Sequence, residues 1–226
     1  MDNLSVLLQK CYLFKNKSLE EIDNLLSHIQ YKIESFKENE VIFSPVRTAD
    51  KIGMLLSGSV DIQKLFPSGK IVIIERKKSL DLIASDSIFS RIDFYPDAVS
   101  VSSPSTILFI TKTDLLHLFD LDKDFMLNFL ESVSNSTLVL KHKIGILSLN
   151  SIQEKIAGYL IYNNKIYDTY CITLPFSKLA WAEYMNVSRT SLSRELRNLE
   201  LKGILSFKKR KIIIHDMKRL EKLLSL

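Results

Sequence analysis

SKLAWAEYMNVSRTSLSRELRNLELKGILSFKKR, residues 177–210, carries two short helical patterns on either side of Asn186. Trp181, Met185, Val187 and Leu192 are the apolar positions that close two helices onto each other, and Ala182 supplies a small side chain where they approach. Asn186 sits at the turn, where a left-handed backbone suits Gly best and Asn is among the few other residues that tolerate it. Ser188 is placed to accept from the free amides of the next turn. Leu192, Leu196 and Leu199 then recur at i, i+4 and i+7 until Gly203 stops the helix. The pattern predicts a helix-turn-helix followed by a basic hairpin.

With the leucines turned inward, Arg189, Thr190, Ser193, Arg194 and Arg197 remain on the outward face. Thr190, Arg194 and Arg197 are four and three residues apart, so they stack on the side of the helix that would reach base edges in a major groove. An Arg there can fork onto guanine O6 and N7, worth about 1–3 kcal/mol of base discrimination. A solvated charged face is the bland alternative, and the coincidence of turn, cap and wing weighs against it. Lys208, Lys209, Arg210 and Lys211 lie between two β-type runs, where they would crown a wing and hold phosphates without reading sequence. With the capping Ser188, the expected DNA contacts are Ser188, Arg189, Thr190, Ser193, Arg194, Arg197, Lys208, Lys209 and Arg210.

The distribution of charge agrees. The chain is +5 overall, but residues 177–226 carry +7 and the remainder −2, the footprint of a nucleic-acid module joined to a mildly acidic body. At 226 residues and 46% hydrophobic, the chain is long enough for two domains or one large one, each able to bury its own core, and is neither disordered nor fibrous. It shows no secretory leader and no apolar run near the ~20 residues that span a bilayer, so a soluble, cytoplasmic protein without a membrane partner is expected. Cys11 and Cys171 lie too far apart for a CxxC pair and are too few for a four-cysteine zinc or iron-sulfur site; both are expected to be buried free thiols. No P-loop, HExxH, nucleophile elbow or convincing carboxylate pair is present, so no catalytic residue, no metal site and no enzyme activity is expected.

Along the chain, Ser18 and Glu21 form a capping-box pattern before a short helix. From Gln30 the pattern turns to β, through VIFS, KIGMLLSGSVDIQKLF, KIVIIERKK, DLIAS, DAVSVSS and TILFIT, with Pro67-Ser68-Gly69 as a tight turn. Many short strands without intervening helices predict a β-sandwich or jelly roll. Helical periodicity returns near Thr113 and dominates from Lys123. Met126, Leu130, Val133, Thr137, Leu140, Ile144 and Leu147 then form an a/d seam, read as a parallel dimer contact, the alternative being a stripe packed on the chain's own β-domain. A second capping box at Ser151 and Glu154 opens a helix through about Tyr162, and residues 165–173 are expected to form a small hairpin.

The fold expected is thus α+β: an N-terminal cyclic-nucleotide-binding-like β jelly roll (1–122), a long dimerisation helix (123–149) and a C-terminal winged helix-turn-helix (150–226). This order resembles the Crp-Fnr family of bacterial transcription regulators. The likeness covers nearly the whole chain and is carried by LLSGSVDI from Leu55, KIGILSLNSIQEKIAGYL from Lys143 and VSRTSLSREL from Val187. It places the family's base-contacting positions on Arg189, Thr190 and Arg194. Thr190 stands where many members have Glu, which removes an acceptor for cytosine N4. Glu195 stands where many members have an apolar residue.

The effector site departs further. Cyclic-nucleotide-binding members hold ribose and phosphate with a Gly-Glu and an Arg-Ser pair, and the corresponding positions here are Ala84-Ser85 and Pro96-Asp97. Arg is missing and Asp97 would repel a phosphate, while Leu140 and Lys141 replace hydroxyls that would meet the base. Cyclic AMP is therefore not expected as effector. Arg91, Leu140, Lys141 and His142 are the candidates for contact with another, unidentified effector. Haem, used elsewhere in the family, has only His28, His117, His142 and the methionines as candidate ligands and no attachment motif to support it.

The expectation is a homodimeric DNA-binding transcription regulator of a pseudo-palindromic operator, working with RNA polymerase and controlled by a small-molecule, redox or gas signal. The alternatives are an effector-independent regulator of the same fold, or a regulatory ligand-binding module of an enzyme system.

Overall fold

The computed structural model describes residues 4–175 and 177–224. The chain separates into two units, residues 1–135 and 136–226, with the division inside the longest helix. In the first unit, α1 (Leu4–Leu8) and a single 3-10 turn (Tyr12–Phe14) precede α2 (Leu19–Ser27). The predicted capping box closes: Ser18 Oγ accepts from Glu21 N–H at 3.2 Å and Glu21 Oε2 from Ser18 N–H at 2.7 Å.

The strands follow as β1 (Tyr31–Phe36), β2 (Val41–Phe43), β3 (Lys51–Leu65), β4 (Ile71–Lys78), β5 (Leu82–Ile83) and β6 (Ala98–Thr111). They pair antiparallel in the order β1-β6-β3-β4, with β2 on β6 and β5 on β3. The long strands β3 and β6 are the spine, and their period-2 alternation splits the apolar residues into two cores. Ile52, Met54, Leu56, Leu108 and Ile110 pack with the helical residues Leu8, Ile22 and Phe129; Leu55, Val60, Ile107 and Phe109 pack inside the roll with Phe43 and Tyr95.

One glycine sits where the register of the spine shifts. Gly58 has φ 89, and a Cβ there would lie 2.3 Å from both Pro104 O and Ser105 Oγ. The β3/β6 register shifts beside it. This corrects one expectation: the DAVSVSS and TILFIT segments are not separate strands but one, β6. Pro104 falls within the shifted region, where its missing N–H breaks no regular ladder. The Pro67-Ser68-Gly69 turn forms as expected, with Gly69 at φ 80 donating to Phe66 O at 2.9 Å.

Helix α3 (Lys112–Leu121) is capped by Thr111, and α4 (Lys123–Leu147) begins beyond Asp122, whose Oδ1 accepts from Phe125 N–H at 2.8 Å. The α4 stripe divides. Val133 is half-buried against the core of the first unit, whereas Leu130, Leu140, Ile144 and Leu147 are 50, 54, 56 and 39% exposed. Thr137 is exposed and Met126 half-buried.

The second unit adds α5 (Ile152–Tyr167), β7 (Cys171–Thr173), α6 (Lys178–Tyr184), α7 (Arg189–Leu201), β8 (Leu205–Lys208), β9 (Lys211–Ile214) and α8 (Met217–Lys222). Ser151 Oγ caps Glu154 N–H at 3.1 Å, but the Glu154 carboxylate takes Asn150 N–H at 3.1 Å, one residue beyond the expected box. Helix α5 also runs past Tyr162 and ends only at the left-handed Asp168, φ 46. The hairpin expected over 165–173 therefore does not form: β7 pairs with the distant β9, giving a sheet ordered β7-β9-β8. In β7 the alternation buries Ile172 and exposes Cys171, so of the two thiols expected to be buried only Cys11 is. Among the described residues no helix is long and apolar enough to cross a membrane, and no group of three or more side chains is arranged to hold a metal ion.

Candidate nucleic-acid interface

The turn between α6 and α7 is built by backbone constraints from both sides. Ser177 Oγ accepts from Ala180 N–H at 3.2 Å, Asn186 takes φ 53, and Val187 N–H donates to Ala182 O at 2.9 Å. Lys155 of α5 donates to Met185 O at 3.2 Å and pins the end of α6. Ser188 Oγ then accepts from Ser191 N–H at 3.0 Å and lies 2.9 Å from Thr190 Oγ1, so the Thr190 hydroxyl is drawn to the cap. Gly203 at φ 70 closes the helix, with Ile204 N–H on Leu199 O at 3.0 Å.

Trp181, Met185, Leu192, Leu196 and Leu199 are fully buried, which turns Arg189, Thr190, Arg194 and Arg197 into solvent, with Ser193 half-buried. Arg197 Nη1 lies 2.5 Å from Glu200 Oε2 and Arg194 Nε 3.3 Å from Glu195 Oε1. At the wing, Lys208 pairs with Lys211 across Lys209, at φ 55, and Arg210, so four basic residues occupy the hairpin end. All are exposed.

Two features here were missed in the sequence. Lys178 Nζ sits 4.0 Å over the Phe207 ring and joins the start of α6 to β8. Burial lowers its pKa; Glu200 opposes that shift and the charge of Arg189 adds to it, which places Lys178 beside the recognition face. The second is a polar knot around Glu195, whose Oε2 accepts from Gln153 Nε2 of α5 at 2.7 Å and Asn198 Nδ2 at 3.1 Å. These two amides and Arg194 hold the Glu195 carboxyl below the usual carboxylate range. Its departure from an apolar residue was the visible signal; Gln153 as partner was not legible, because the two lie 42 residues apart.

In the roll, Ala84 holds a left-handed backbone, φ 62. Around it Ile62, Asp86, Ser87, Tyr95, Pro96, Asp97 and Val99 line a cavity of only about 20 Å³. Asp97 is partly shielded and lies 3.2 Å from Lys64 Nζ. Tyr95 donates to Lys51 O at 2.9 Å and packs against Phe43 with ring centroids 4.4 Å apart, tilted by 42°; burial pushes its hydroxyl up to about 12.

Of the candidate effector residues, Arg91 is an exposed loop residue of the first unit, and Leu140 and Lys141 are exposed on α4. His142 is different: its ring stacks on Tyr162 of α5 at 3.5 Å and 12°, and Nε2 is buried without a hydrogen-bond partner among the described residues. Burial lowers its pKa. Cys11 Sγ donates to Leu80 O at 3.5 Å, and burial raises the thiol to about 11, which keeps it protonated and unreactive.

Comparison with known proteins agrees with both units. The chain matches the cyclic nucleotide-binding domain over residues 33–122 and the Crp-like helix-turn-helix domain over residues 154–223. It is 23% identical over 190 residues to the global nitrogen regulator of Nostoc sp., covering 81% of this chain and 85% of that protein. Among solved structures, OCPA-complexed CprK shares the fold with a TM-score of 0.65 at 20% identity, over 90% of this chain and 93% of that one. DNR from Pseudomonas aeruginosa does so with a TM-score of 0.52 at 23% identity, over 97% and 96%. A cyclic-nucleotide-type roll followed by a Crp-like helix-turn-helix places the chain in the Crp-Fnr family of DNA-binding transcription regulators.

Proposed function

We propose that the chain is a homodimeric, sequence-specific regulator that answers a signal other than cyclic AMP. The observation that carries the DNA-reading half is the exposed Arg189, Thr190, Arg194 and Arg197 face on a helix whose leucines are fully buried, beside a wing of four basic residues. Arg189 and Arg194 read base edges; Ser188, Ser193 and the wing residues Lys208, Lys209 and Arg210 hold the backbone. The exposed Leu130, Leu140, Ile144 and Leu147 on α4 support pairing with a second copy. Two recognition helices then sit about 34 Å apart, matching a pseudo-palindromic operator near which RNA polymerase is engaged.

The signal reading rests on the roll. The small cavity beside Ala84 is lined by Asp97 and by no Arg, which supports a ligand other than a cyclic phosphate, whose charge Asp97 would oppose. Control works by population shift: an effector that favours one packing of α4 favours one spacing of the recognition helices. The name of the Nostoc relative makes metabolites of nitrogen assimilation the first class to screen. A ligand at 100 times its Kd stabilises the protein by about 2.7 kcal/mol, a shift that thermal unfolding detects.

The test is selection from a random duplex library at fixed salt, followed by sequencing. A two-fold-symmetric motif with half-sites one helical turn apart is expected. An asymmetric motif contradicts the dimer, and absence of enrichment with every candidate effector present contradicts sequence-specific reading.

A further inference from the structure

The Glu195 knot bears on how Arg194 works, and it rests on the reading of Arg194 as a base-contacting residue. A carboxylate that is 16% exposed on the recognition helix is unfavourable unless its oxygens are satisfied, and here they are. Gln153 and Asn198 donate to Oε2 at 2.7 and 3.1 Å, while Arg194 Nε lies 3.3 Å from Oε1. The anion is therefore fixed in place before DNA arrives. Arg194 itself is 72% exposed, so without this partner its long side chain would sample many rotamers. Only Nε of Arg194 takes part in this pair, which leaves the two Nη groups to donate elsewhere, and two Nη donors match the two acceptors that guanine presents in the major groove.

We propose that Glu195 is a positioning residue for Arg194, anchored through Gln153 to α5, and that it sharpens base preference by holding the guanidinium in a base-reading orientation. The anchor lies two residues beyond the Ser151 cap of α5, so the base-reading side chain is tied to the segment that follows α4. A helix that faces DNA has no reason to carry a carboxylate for affinity, because the charge repels the phosphates. Its use is in orientation.

Two measurements on the full chain test this. In an arginine-¹⁵N spectrum, with Arg194 assigned by its loss in Arg194→Ala, the Arg194 Nε–H exchanges more slowly than that of Arg189, and Glu195→Gln abolishes the difference. Equal exchange in the unmodified protein overturns the proposal. In library selection, Glu195→Gln lowers preference at the base read by Arg194 by about three- to tenfold, without weakening binding to random duplex. Gln153→Leu gives a smaller loss at the same base. If Arg194→Ala erases preference at one base and Glu195→Gln leaves it intact, positioning falls while base reading stands. If Arg194→Ala alters no base, base reading falls and positioning falls with it.

Discussion

The recognition helix and the pocket of the roll present different things. In α7 the buried leucines, the Ser188 cap and the exposed arginines are all present, so shape and chemistry survive together. In the roll the backbone turn is formed, but few charged groups surround the pocket beside it. Ala84 still adopts the left-handed backbone of a glycine position, at a cost of about 1–2 kcal/mol for an L-residue. Beside it Pro96 and Asp97 line a cavity of about 20 Å³, and no Arg is among the lining residues.

Substitutions that separate the two regions break or sharpen this contrast. Leu196→Ala removes a fully buried side chain from the C-terminal core and should destabilise the protein by about 2–5 kcal/mol, measured by urea unfolding, with binding to all duplexes lost alike. Gly58→Ala forces a Cβ to within 2.3 Å of Pro104 O and Ser105 Oγ at φ 89. It should cost about 2–4 kcal/mol, by strain and overpacking.

A smaller effect is expected of pH. Burial holds the His142 pKa below its ordinary 6.5, so the folded state favours the neutral ring and the unfolded chain takes up the proton first. Stability is thus unaffected well above pH 6.5 and falls as pH drops through and below it. The rings beside His142 are Tyr162 and Tyr159, neither of which carries a negative charge that would offset the effect. His142→Phe keeps the stack and should flatten that part of the pH profile of Tm. The smallest effect is none: cyclic AMP should leave Tm unchanged, and a shift worth the ~2.7 kcal/mol of a saturating ligand would contradict the reading of the pocket.

Much of this was legible in local pattern. The capping serines, Asn186, Gly203 and the alternation in β3 act within a few residues of themselves, so spacing alone revealed them. What depended on distant partners was not. The pairing of β7 with β9 looked like a local hairpin, and β6 looked interrupted at Pro104 because the bulge that accommodates it is made with β3. The exposure of Cys171 follows from that same pairing. At the interface the arginine face was visible from helical spacing, but Lys178 on Phe207 and Gln153 on Glu195 are contacts between elements far apart in sequence.

The division of labour between α7 and the wing can be measured directly. Binding of unmodified protein, Arg194→Ala and Lys209→Ala would be compared on the selected operator and on random duplex across a range of salt. Arg194→Ala should lose about 1–3 kcal/mol on the operator and far less on random DNA. Lys209→Ala should weaken both alike and lower the salt slope by about one. Equal losses on operator and random duplex for Arg194→Ala would contradict base reading by this helix.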